Sequence, residues 1–86
     1  MQENSKKLYK TIGKILHNER IKSGIKYTDF CYENDISMST YDNIINGSKQ
    51  ITFFNIAKVV KALNLSFEEF GRYLDKELPE NFLNQD

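Results

Sequence analysis

Apolar residues recur along this chain at intervals of three and four, the spacing that keeps them on one face of a helix. Leu8, Ile12, Ile15 and Leu16 mark a first helix over residues 6–22, which Ser23-Gly24 ends. A second helix is predicted over residues 28–34, with Phe30 and Cys31 inward. The third, residues 37–46, is signalled at both ends. Ser37 follows the apolar Ile36 as N-cap, and Asn46-Gly47 supplies the left-handed stop. Between these caps Ile36, Tyr41, Ile44 and Ile45 point inward, leaving Met38, Ser39, Asp42, Asn43 and Asn46 outward.

The polar stretch 47–50 separates this unit from a fourth helix, capped by Thr52 and running to Leu63. Its stripe is Ile56, Val59, Val60 and Leu63. Ser66 and Glu69 form a capping box that opens a fifth helix with Phe70, Tyr73, Leu74 and Leu78 before Pro79. No strand-like alternation is long enough to build a sheet. The prediction is an all-α, compact five-helix domain over residues 1–78, with a tail, 79–86, expected to fray.

Eighty-six residues allow one modest core and leave little room for a deep catalytic cleft. No apolar run approaches the length of a membrane span. The amino-terminal stretch MQENSKKLYK lacks the apolar region of a secretory signal, and Cys31 is the only cysteine, so a reducing, cytoplasmic setting is expected. The formal net charge is zero. Up to Gln50 there are eight basic residues against six acidic ones, and after it four against six. The half with the doubly capped helix is the more positive, the sign expected of a surface that meets nucleic acid.

A short helix with a small-polar outer face suits a DNA major groove. Asn43 can pair bidentately with adenine, and Met38 and the Thr40 methyl can pack on thymine methyls. No arginine or lysine lies within residues 37–46, so the commonest guanine contact is missing and an A·T-leaning site is expected. The alternative for this face is an ordinary solvated helix surface, and Asp42 favours that alternative unless it accepts from cytosine N4 or pairs with Arg20.

Three stretches carry a resemblance: residues 12–24 (IGKILHNERIKSG), 30–47 (FCYENDISMSTYDNIING) and 56–70 (IAKVVKALNLSFEEF). Together they resemble the lambda-type repressor and Cro proteins, the XRE-type helix-turn-helix regulators. The junction KALNLSFEE is the most specific part, at the place where that family joins its fourth and fifth helices. The resemblance implies a lambda-repressor-like domain whose helices 2 and 3 form the helix-turn-helix, a homodimer, and a third helix laid into the major groove. Carried across, Met38, Ser39, Asp42 and Asn43 fall where family members meet base edges. Tyr27, Asn46, Ser48 and Lys49 fall where they touch phosphates.

Four positions depart from the pattern. Lys26 and Tyr27 replace the second-helix cap and its following glutamine, and Asp35 stands at the turn glycine. The acid that often pairs with an arginine at the Arg20 position is Ile45 here. Arg20 therefore needs another partner, with Glu19, Asp42 and a DNA phosphate as candidates. Phe54 takes a position that is commonly polar, which suggests a contact surface; with Tyr73 it is the expected dimer interface.

His17 has no second ligand-type residue at helical spacing, and no nucleophile is paired with a base, so no metal site, cofactor or catalytic residue is expected. The chain reads as a non-enzymatic, sequence-specific regulator that binds a double-stranded DNA operator as a homodimer, with a regulatory protein partner admissible. The competing reading is a protein–protein module, or an antitoxin-like adaptor, that keeps the fold and binds DNA weakly.

Overall fold

The computed structural model describes residues 3–48 and 51–80, and among these it contains five helices and no strand. Helix α1 is Glu3–Ser23, α2 Tyr27–Glu33, α3 Met38–Ile45, α4 Phe53–Ala62 and α5 Phe67–Glu77. Ends predicted from capping residues lie within one residue of those observed, the cap itself being the residue just outside the helical hydrogen bonds. The exception is α1, which begins three residues ahead of the predicted start. Its first turn carries polar residues only, so no apolar stripe announces it.

Each junction is closed by local chemistry. Gly24 ends α1 at φ 76°, a left-handed conformation that costs glycine little. Helix α2 starts at Lys26 without a side-chain cap. The turn into α3 passes through Asp35 at φ 54°, the conformation a family glycine would adopt without strain. The Lys58 ammonium of α4 donates to the Asp35 carbonyl at 2.6 Å and ties that turn to the body of the domain. Ser37 Oγ then accepts from the Thr40 amide at 3.0 Å and caps α3. Gly47, at φ 74°, closes α3. Thr52 caps α4 through the Asn55 amide. The predicted capping box of α5 has both bonds, Glu69 N–H to Ser66 Oγ at 3.0 Å and Ser66 N–H to Glu69 Oε1 at 2.9 Å.

The core gathers Ile12, Ile15 and Leu16 of α1, Phe30 and Cys31 of α2, and Tyr41 and Ile44 of α3, with Ile36 in the turn between the last two helices. Ile56, Val59 and Val60 of α4, Leu65 and Phe70 of α5's side complete it. Burying a Leu-, Ile- or Phe-sized side chain contributes about 1.5–3 kcal/mol, so the apolar stripes rather than helix propensity hold the domain together. Helix α1 packs against both α3 and α5. It comes so near α3 at Gly13 that an added Cβ would overlap the Ile44 and Ile45 carbonyl oxygens. No side chain larger than hydrogen fits there without moving one of the two backbones.

Candidate nucleic-acid interface

The third helix carries its faces as its pattern predicts. Tyr41 and Ile44 are buried, Ile44 completely, and Ile45 packs half-buried against the core. Met38, Ser39, Asp42, Asn43 and Asn46 are exposed together on the opposite side. Thr40 is half-buried at the edge of this face, its Oγ1 accepting from the Ser37 hydroxyl at 2.8 Å. That bond directs the hydroxyl into the cap. Ser48 lies half-buried just beyond Gly47, while Lys49 falls outside the described residues. So do residues 81–86 of the expected tail, including Phe82 and Leu83.

Arg20 is the buried charged residue of the core region, and its partner is none of the three candidates. Its Nε donates to the Tyr41 hydroxyl at 2.8 Å and its Nη1 to the Ile25 carbonyl at 2.7 Å. Tyr41 thus supplies the acceptor that the resemblance leads one to expect from an acid at position 45, which is Ile here. A phenol oxygen accepts the guanidinium hydrogen bond without adding a second buried charge. Burial pushes the Tyr41 phenol pKa up, and the Arg20 hydrogen bond opposes that shift. Residues 21 positions apart had no local signal linking them.

Tyr27 opens α2 and packs its ring at a tilt against Tyr41, ring centroids 5.3 Å apart. Its hydroxyl donates to Asp42 Oδ1 at 2.8 Å. A phenol has one proton to give, so the group expected at a phosphate is engaged within the free protein. The hydrogen bond to Asp42 raises the Tyr27 pKa to about 12, with burial adding to the shift. His17, Arg20, Tyr27, Tyr41, Asp42 and Ile45 together line an open cleft of about 150 Å³ where α1, α2 and α3 meet. The His17 Nδ1 is buried without a hydrogen-bond partner among the described residues. Among those residues no group of His, Cys, Asp and Glu side chains is arranged to hold a metal. Cys31 is buried, and burial raises its thiol pKa, which disfavours the reactive thiolate.

The expected interface pair has two different settings. Phe54 is 74% exposed on the first turn of α4. Tyr73 is half-buried in a groove between α1 and α5, with the Lys22 ammonium 5.9 Å from its ring centroid. Phe53, at 70% exposure, and Phe67 extend the apolar surface beside Phe54. Their rings stack at 6.3 Å, and the Lys61 ammonium lies 4.5 Å from the Phe67 ring. Each sits on the first turn of its helix, three residues before a buried stripe residue, Ile56 or Phe70, so periodicity alone assigns it to the core side. No helix among the described residues is long and apolar enough to cross a membrane.

Compared with known proteins, residues 16–70 match a family model described as helix-turn-helix. No curated protein and no solved structure matches the chain.

Proposed function

Since the chain belongs to the XRE-type, lambda-repressor/Cro-like helix-turn-helix family, whose domains bind DNA, we propose that it is a sequence-specific transcriptional regulator of the repressor or Cro-like kind. In this reading α3 with its two caps, residues 37–46, enters the major groove, and Met38, Ser39, Thr40, Asp42 and Asn43 meet base edges. Asn46, Ser48 and Lys49 hold the flanking phosphates, and Tyr27 lies on the same flank at the start of α2. The observation that carries the reading is the outer face of α3: exposed, small-polar, and pinned to the core through Ile44 and Tyr41. A face held this rigidly lowers the ordering cost of docking into a groove.

One short helix contacts few base pairs, so specificity calls for two half-sites about one helical turn apart, and hence for two copies of the chain. The second copy packs through α4 and α5, with Phe54 and Tyr73 at the interface and Phe53 and Phe67 extending it. Selection from a random duplex pool, with binding followed against salt, tests the whole reading. An enriched, palindromic site bound with a falling salt dependence supports it. Sedimentation that finds a monomer with and without DNA removes the dimer. Failure to enrich any sequence removes the regulator and favours the alternative, a protein-binding module or adaptor whose contact surface is the exposed Phe53, Phe54 and Phe67.

A further inference from the structure

Asp42 is the acidic residue of α3, and a carboxylate near two phosphate strands repels them unless something specific offsets the cost. Its environment contains that offset. Tyr27 donates to Oδ1 at 2.8 Å from a ring that is itself held against Tyr41, and Tyr41 is fixed by Arg20. The chain of contacts runs from the Ile25 carbonyl through Arg20, Tyr41 and Tyr27 to the carboxylate, so three elements restrain one exposed side chain. Asp42 forms no ion pair with Arg20 or any lysine among the described residues. Among the described residues nothing neutralises its charge. One carboxylate oxygen carries the Tyr27 hydrogen bond, and Asp42 is exposed on the outer face of α3.

We propose that Tyr27 and Asp42 act as one specificity element, in which Tyr27 orients the Asp42 carboxylate so that its second oxygen accepts from the N4 amino group of a cytosine. The proposal rests on α3 reading the major groove and adds to that reading a single C·G position within an otherwise A·T-leaning half-site. Cytosine N4 is the amino donor that a carboxylate matches in the major groove, and no other base edge rewards an acceptor that cannot donate as well. Adenine also presents an amino group, but beside the N7 acceptor, which a carboxylate repels. The role of Tyr27 is positioning: its hydroxyl donates to Asp42 instead of to a phosphate.

The test is parallel selection from random duplexes with the wild-type chain, Tyr27→Phe and Asp42→Asn, each checked by circular dichroism to be fully folded at the selection temperature. Wild type is expected to prefer cytosine at one half-site position by about tenfold, the scale of one good base contact. Tyr27→Phe keeps the ring and its packing, and should reduce that preference severalfold while leaving the other positions unchanged. Asp42→Asn should exchange cytosine for adenine at the same position, because an amide both donates and accepts. Three results would overturn the proposal: a wild-type site with no cytosine preference, a Tyr27→Phe site identical to wild type, or a uniform loss of affinity across all sequences in Tyr27→Phe, which marks a phosphate contact. If the wild type enriches nothing at all, the groove-reading helix falls and this proposal falls with it.

Discussion

Arg20 of α1 and Tyr41 of α3 share a buried hydrogen bond of 2.8 Å between a guanidinium Nε and a phenol oxygen. The contact gives the buried guanidinium a neutral acceptor and joins α1 to α3. Arg20 satisfies its remaining need at the Ile25 carbonyl, in the segment that leads into α2. One side chain therefore sets the mutual position of three successive elements.

Removing the phenol oxygen leaves a charged donor in a buried place without an acceptor. Tyr41→Phe is expected to cost about 1–3 kcal/mol in urea unfolding. In an Arg20→Met background the same substitution should cost clearly less, because no donor is orphaned. Equal costs in the two backgrounds would show that the bond contributes nothing beyond packing.

High pH should loosen the domain in a defined window. Tyr27 is raised to about 12 by its hydrogen bond to Asp42, and Tyr41 is raised by burial, both above the ordinary phenol value of 10.0. The folded state thus holds both phenols neutral more firmly than the unfolded chain does. Their contribution is complete below pH 10.0 and is lost as pH climbs toward about 12. Urea midpoints measured across this window should fall, and they should fall less steeply in Tyr27→Phe. Tyrosinate absorbance in Asp42→Asn should report one phenol titrating earlier.

At the helix-turn-helix corner, Asp35 holds φ 54° where glycine would be at ease. Asp35→Gly is expected to gain roughly 0.5–1 kcal/mol, the left-handed strain relieved less the added freedom of the unfolded chain. Asp35→Ala should move stability the other way. The Lys58 bond is made to the backbone carbonyl and survives both changes.

Ile44 has no exposed surface and anchors α3 from beneath. Ile44→Ala should cost about 2–5 kcal/mol. That is a large share of the stability of a domain this small, and thermal unfolding followed by circular dichroism measures it directly.

On DNA, Asn43→Ala is expected to cost about 1–3 kcal/mol on the selected site and to relax one base position. Lys49→Ala should weaken binding to every sequence alike and lower the salt slope by about one. Titrations at several salt concentrations separate the two, and a sequence-dependent loss in Lys49→Ala would contradict the phosphate role.

What could be read in the chain was whatever its own neighbours determine. Ser37, Thr52 and the Ser66–Glu69 pair announced their helices because a cap acts within three residues, and each of those bonds is present. The inward and outward sides of α3 followed from periodicity in the same way. Arg20 with Tyr41 and Tyr27 with Asp42 were not legible, since each joins residues 15 or more apart whose meeting depends on how α1, α2 and α3 cross. The exposed stack of Phe53 on Phe67 escaped for a related reason: hydrophobicity suggests burial, and only the packed domain shows that the stripe residues Ile56 and Phe70 have already filled the interior.

The missing side chain at residue 13 reaches into the behaviour of α3. Helix α3 rests on the bare backbone of α1 there, so how far its outer face stands proud of the domain is gauged by a neighbour that lies outside the helix-turn-helix. A methyl group at that position would work as a shim, tilting α3 without touching a residue on its outer face. By the same reasoning, residues 27–47 transplanted onto another scaffold would keep their own turn and caps yet ride at a different depth. On the proposed reading, any base preference would then belong to the whole domain and would not travel with the motif.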